Sequence, residues 1–171
     1  MNPPISLSER KVLKQLKGII NTWGQDARIR KIAASIVTLK GVGGDWIVSE
    51  KDHIGTINAV YHWVDQHVKY VCDPKKIDVF EDPLATLDLK VADCDGYLIL
   101  VGSLLQAIGY PVAVVMTSQS KSKPLSHVYL LVGIPPLSPP KVITEWIPID
   151  AITDEPITWQ PPYAYGIWSV V

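Results

Sequence analysis

Residues 91–115 read VADCDGYLILVGSLLQAIGYPVAVV, and their reading decides the fold. Asp93 can cap a helix, and Leu98, Val101, Leu104, Leu105 and Ile108 then recur at helical spacing until Gly109 and Pro111 stop the run. From Val112 the period changes from helical to alternating, so a helix feeds directly into a strand. Cys94 stands at the mouth of that helix between Asp93 and Asp95. A thiol used only for packing would have apolar neighbours, because neutral cysteine behaves as a small hydrophobe. At a helix start the sulfur meets unpaired backbone amides and the positive end of the helix dipole, which favour thiolate. The two carboxylates oppose this, and they are reconciled with a reactive sulfur if they orient the helix start while a separate cation pairs with the thiolate.

A histidine suits that pairing, since imidazole takes up and returns a proton near neutral pH. His53, His62 and His67 fall on or beside the polar face of an earlier helical segment, where a solvated role is the plain reading. His127 opens an alternating run, His127 to Val132, and a polar imidazole there begins one face of a sheet on which the Cys94 helix could pack. A further run, Val142 to Ile149, ends at Asp150. If its strand neighbours that of His127 through the PPLSPP loop at 135–140, Asp150 can fix the imidazole's tautomer and support its charge.

Working outward, Ser6 and Glu9 form a capping box before Val12, Leu13, Leu16, Ile19 and Ile20, predicting a helix over about 7–21. A second helix begins at Asp26 and runs until GVGGDW at 41–46 breaks it. A third, capped by Ser49, places Ile54, Ile57, Tyr61, Val64 and Val68 on one face and ends near Tyr70. From Val71 to Ala92 the Asp73-Pro74 and Asp82-Pro83 turn signals predict a connecting loop. Strands are expected near 112–117, 127–132 and 142–149, with Pro148 confining the last to a sheet edge or its terminus. The aromatic tail from Thr158 is expected to pack across the domain, the alternative being an exposed partner-binding site. The organisation is one domain: a helical extension over 1–48, a core over 49–155 and a proline- and aromatic-rich tail over 156–171.

The 171-residue chain carries 16 basic and 17 acidic residues, a net charge of −1, so no global field gathers nucleic acid or an anionic membrane. The early cluster of Arg10, Lys11, Lys14, Lys17, Arg28, Arg30 and Lys31 reads as solvated helix faces. No leader pattern and no apolar run of roughly 20 residues is present, which predicts a soluble, cytoplasmic protein. Cys72 and Cys94 are expected to be two free thiols rather than a disulfide framework, with Cys72 a bystander in its turn-rich loop.

The stretches VADCDGYLILVGSLLQAIGYPVAVV, SHVYLLV and TEWIPID resemble the transglutaminase-like superfamily, whose papain-like core uses a Cys-His-Asp triad. AVYHWVDQHVKYVCDPKKIDVFEDPLATL is also similar to the helix and loop preceding the cysteine in compact members, many of them encoded by phages and prophages. The likeness spans roughly 50–155. It implies an α+β fold in which the Cys94 helix packs on an antiparallel sheet, with Cys94 as nucleophile, His127 as general base and acid, and Asp150 as orienter. It further implies a peptide or protein substrate, no cofactor and no metal, and acyl transfer through a Cys94 thioester, hydrolysis more than crosslinking. Where members often have Gly before the Asp-Cys pair and a second acid further on, this chain has Ala92 and Gly96, and the small residue at 96 is expected to leave room near the sulfur. The backbone amide of Cys94 is one expected oxyanion donor. A side-chain donor is not assigned, although Tyr70 and Phe80 lie in the right region of sequence. The alternatives are a catalytically idle structural or assembly protein of a phage or virion, and a metal site from His62, His67, Cys72 and Cys94, whose spacing matches no compact zinc pattern.

Overall fold

The computed structural model describes residues 6–45, 47–71, 80–150 and 155–171. Two helices open the chain, α1 (Leu7–Trp23) and α2 (Ala27–Val37). The Ser6 capping box is reciprocal: Glu9 N–H donates to Ser6 Oγ at 3.1 Å, and Ser6 N–H to Glu9 Oε2 at 2.8 Å. Helix α3 (His53–His67) starts later than the Ser49 cap predicts, because Asp52 takes the cap and accepts from Gly55 N–H at 2.7 Å. Beyond it, β1 (Lys69–Tyr70) pairs in parallel with β2 (Val91–Ala92), so the chain returns to the start of the cysteine helix.

The predicted connecting loop holds a further helix, α4 (Pro83–Leu89). Asp82 caps it, accepting from Leu84 and Ala85 N–H at 3.0 and 2.9 Å, and Pro83 sits in the first turn, where its missing N–H costs nothing. Lys90 closes it in the left-handed region at φ 58°, which turns the chain into β2.

Helix α5 (Cys94–Ala107) is the centre of the molecule. Every residue from Gly96 to Leu105 is buried, as expected of a helix apolar on all sides. It packs on α1, α2, α3 and α4 and, on its other side, on the sheet. Gly102 allows the closest approach: a Cβ there would stand 3.2 Å from Leu130 Cδ1 and 3.3 Å from Ile20 Cδ1. The helix ends as the sequence predicts, with Gly109 at φ 95°.

The four-stranded sheet is antiparallel, in the order β5-β4-β3-β6, with β3 Val112–Ser118, β4 His127–Ile134, β5 Glu145–Ile149 and β6 Tyr165–Val170. β5 is shorter than its predicted strand because Pro140–Val142 forms a 3₁₀ turn instead. Pro148 lies in this edge strand, as its lack of an N–H requires. The tail is more than a covering segment: its β6 pairs with β3 along Ala113–Ser118. Val112, Val114, Met116, Val128, Leu130, Val132, Ile147 and Ile149 face the helices and join the main core. By alternation, His127, Tyr129 and Leu131 belong to the opposite face of β4. No helix among the described residues is long and apolar enough to cross a membrane.

Candidate active site

Three elements converge where β4 begins. β4 and β5 last pair at Leu130 with Ile149, and Asp150 follows as the strands part. Because Ile147 and Ile149 enter the core, alternation gives Asp150 to the outer face, shared with His127 and Tyr129. There the His127 Nε2 and Asp150 Oδ2 atoms lie 2.8 Å apart. Asp150 is 5% exposed, and a carboxylate can only accept, so the proton of this bond belongs to Nε2 and Nδ1 is left as the basic nitrogen. Tyr61 anchors the backbone here by donating its hydroxyl to the Asp150 carbonyl at 3.4 Å.

Cys94 reaches the same end of β4 from the first turn of α5. Asp93 caps its helix by accepting Gly96 N–H at 2.9 Å, which sets the sulfur at the first turn of α5. The backbone N–H groups of Val128 and of Cys94 itself lie near enough to the sulfur to lower its pKa. Val128 lies past the last β5 pairing, so its amide reaches the thiol where the strands diverge. The half-buried sulfur lines a small cavity of about 10 Å³ with Tyr97, Leu98, Val101, Val128, Tyr129, Leu130 and Ile149.

The helix packs on the sheet as expected, on its Val128, Leu130 and Val132 face, so the sulfur comes to β4 beside a backbone amide, while two other sequence expectations are corrected. Gly96 faces away from the sulfur, as a Cβ at this position would meet Ala92 Cβ at 3.2 Å and Thr86 Oγ1 at 3.7 Å. Burial, then the charges of Asp95 and Asp93, push the Cys94 thiol pKa up to about 12, against the thiolate that the helix start favours, and the two backbone N–H groups pull only partly the other way. Among the described residues its hydrogen bond runs to Asp95 Oδ1 at 3.8 Å, and no bond joins it to the His127 ring.

The Asp95 effect has a testable sign. Removing a negative charge beside the sulfur favours thiolate, so Asp95→Asn lowers the thiol pKa. Iodoacetamide labelling of Cys94 near neutral pH is expected to rise by roughly threefold or more. Peptide mass spectrometry of the labelled site reads it, and an unchanged rate would mean that burial alone sets the thiol.

The other candidates separate from this centre. His53 Nδ1 lies 3.1 Å from the Tyr110 hydroxyl, so it is tied into the fold rather than simply solvated. His62 is exposed against Tyr61, and His67 stacks on Trp63 with its Nδ1 2.7 Å from the Trp63 carbonyl. No group of three metal-ligating side chains occurs among the described residues, and Cys72 lies outside them. Tyr70 is partly exposed in β1; Phe80 packs on the core and offers no polar atom. Sequence reasoning missed Tyr129 and Gln160. Tyr129 stacks on His127, with centroids 6.1 Å apart and planes at 25°, and Gln160 Nε2 donates to its hydroxyl at 2.7 Å. The available signal for Tyr129 was its place two residues after His127, on the same strand face.

Comparison with known proteins adds the family. No curated protein matches the chain. Among solved structures it is similar to a protein from Cytophaga hutchinsonii assigned provisionally as a cysteine protease, at 16% identity and a TM-score of 0.49, covering 78% of this chain and 42% of that one. It is also similar to a TGase at 14% identity and a TM-score of 0.45, covering 96% of this chain and 38% of that one. The chain thus spans about two fifths of the length of either protein. The family model for the transglutaminase-like superfamily matches residues 42–151, more than half of the chain. Cys94, His127 and Asp150 all fall within the match, and the chain belongs to the transglutaminase-like superfamily.

Proposed function

We propose that the protein is a thiol-dependent acyl-transfer enzyme acting on amide bonds of a peptide or protein, with Cys94 as nucleophile, His127 as base and acid, and Asp150 as orienter. The observation that carries this reading is the 2.8 Å bond from His127 Nε2 to a buried Asp150 at the point where the Val128 amide meets the Cys94 sulfur. A surface histidine needs no buried carboxylate behind it, whereas a catalytic base does.

With burial and the flanking carboxylates pushing the Cys94 thiol pKa up, the base acts during attack rather than before it. The Cys94 proton passes to His127 Nδ1 as the sulfur bonds to the carbonyl carbon, and the carbonyl oxygen takes the displaced electron pair. Asp150 steadies the imidazolium. As the tetrahedral species collapses, the C–N bond breaks, the amine leaves with the proton from His127, and a thioester remains. Water then attacks, its proton going to His127, and collapse releases the acid and restores the thiol. Water is favoured over an amine as acceptor because it is always present and no feature among the described residues marks an amine site.

The test is a peptide-amide library offered with and without a dansylated primary amine, quenched in acid and read by mass spectrometry. The expected result is an acyl adduct on Cys94 that is lost in Cys94→Ala, with free acid exceeding amine conjugate. The second reading, an idle fold with a structural or assembly role, is favoured by one observation: the thiol bonds to Asp95 rather than to His127. Absence of any adduct across the library would replace the enzyme reading with this one.

A further inference from the structure

The segment after Glu155 crosses the sheet face that carries His127, tied down at both ends. Thr158 N–H donates to the Pro148 carbonyl at 3.1 Å beside β5. At the far end Gln119 Nε2 donates to the Pro162 carbonyl at 2.9 Å, and Ala164 N–H to the Ser118 carbonyl at 3.1 Å beside β3. Gln160 lies between these ties. Its amide nitrogen donates to the Tyr129 hydroxyl at 2.7 Å and reaches the Tyr163 hydroxyl at 3.4 Å. Gln160 itself is exposed, yet the tyrosine it grips is only 1% exposed and stacks on the His127 ring.

This arrangement answers a mechanical need. One hydrogen bond to Asp150 fixes an edge of the imidazole but leaves the ring free to rock about it. A flat neighbour limits that motion only if it is itself held. The ring of Tyr129 is fixed by packing, and its buried hydroxyl requires a partner. Holding an exposed glutamine in one rotamer costs side-chain entropy, which the bond to Tyr129 must offset.

We propose that Gln160 is a positioning residue: through the Tyr129 hydroxyl it holds the phenol ring against the His127 imidazole, keeping Nε2 on Asp150 and leaving Nδ1 to exchange the thiol proton. This rests on the reading of His127 as the base. It makes the C-terminal segment part of the site, so that a strap carrying no reacting group helps keep the tautomer that Asp150 sets.

The test uses the full chain as wild type, Gln160→Ala, Tyr129→Phe and the double variant. Tyr129→Phe keeps the stacked ring and deletes only the bond, and Gln160 is exposed, so both are expected to fold. Long-range proton–nitrogen NMR reads the His127 tautomer, iodoacetamide labelling between about pH 6 and pH 9 reads Cys94, and thermal melting reads stability. The expected result is a single Nε2–H tautomer in the wild type and a mixture in each variant. Labelling is expected to slow by about twofold to threefold in each single variant, less than in Asp150→Asn, and no further in the double, because both remove the same bond. Melting is expected to drop modestly in Gln160→Ala, which takes a partner from a buried hydroxyl, and less in Tyr129→Phe, which removes the hydroxyl as well. A wild-type tautomer in both single variants overturns the proposal, whatever happens to melting or labelling, as do single effects that multiply in the double. If His127→Ala leaves labelling unchanged in the wild-type background, the base reading fails, while the tautomer still decides whether Gln160 positions the ring.

Discussion

Replacing His127 with alanine is expected to lower acyl transfer by about 10²–10⁴-fold, the range of a lost general base. Cys94→Ala should abolish it. The size follows from the state of the sulfur: with the thiol pKa pushed up to about 12, thiolate is scarce at neutral pH, and attack depends on a base that removes the proton. The His127 side chain is about 20% exposed, so its removal opens a space that solvent reaches. Added imidazole is therefore expected to restore part of the lost rate in His127→Ala and none in Cys94→Ala. Turnover on a substrate from the library screen measures both effects, with melting temperature as the control for folding. A His127→Ala rate within about twofold of wild type would remove the base from the mechanism.

The sequence made the centre of the molecule legible because its signals there were local and agreed with one another. The apolar period from Leu98 to Ile108, the stop at Gly109 and the alternation after it all belong to contiguous residues, and the observed α5, β3 and β4 follow them. Ambiguous signals failed. Asp82-Pro83 suits a turn and a helix start equally, and only the pairing of β1 with β2 around α4 selects the second. Ser49 and Asp52 are both competent caps, and position in the fold chose between them. The strand Tyr165–Val170 is preceded by a proline pair that obscures its pattern, and its partner β3 lies some fifty residues earlier, a distance that no window of sequence spans.

The site divides in the same way. That Cys94 begins a helix, and that His127 and Asp150 lie on neighbouring strands, could be read from periodicity. The condition of the sulfur could not, because burial is a property of the packed chain, and here it outweighs the helix start that favoured thiolate. Gln160 was hidden for a further reason: its role exists only through Tyr129, thirty-one residues away.

Asp150→Asn carries the second large effect, and it separates positioning from nucleophilicity. The substitution preserves size at a buried site, so the fold is expected to hold, but it replaces a pure acceptor with a group that both donates and accepts. If the amide turns its NH₂ toward Nε2, that nitrogen must lose its proton and Nδ1 gains it, which occupies the nitrogen needed as base. If the amide oxygen faces Nε2, the tautomer survives but the imidazolium loses its counter-charge. Either outcome acts on the step in which His127 holds the proton. Turnover is expected to fall by roughly 10²–10⁴-fold. Alkylation by iodoacetamide needs no proton returned to a leaving amine, so its rate should fall by less than about tenfold. Equal losses in the two assays would assign Asp150 to thiol activation as a whole. No loss in either would make the 2.8 Å contact a structural tie between β4 and the end of β5 and take Asp150 out of the chemistry.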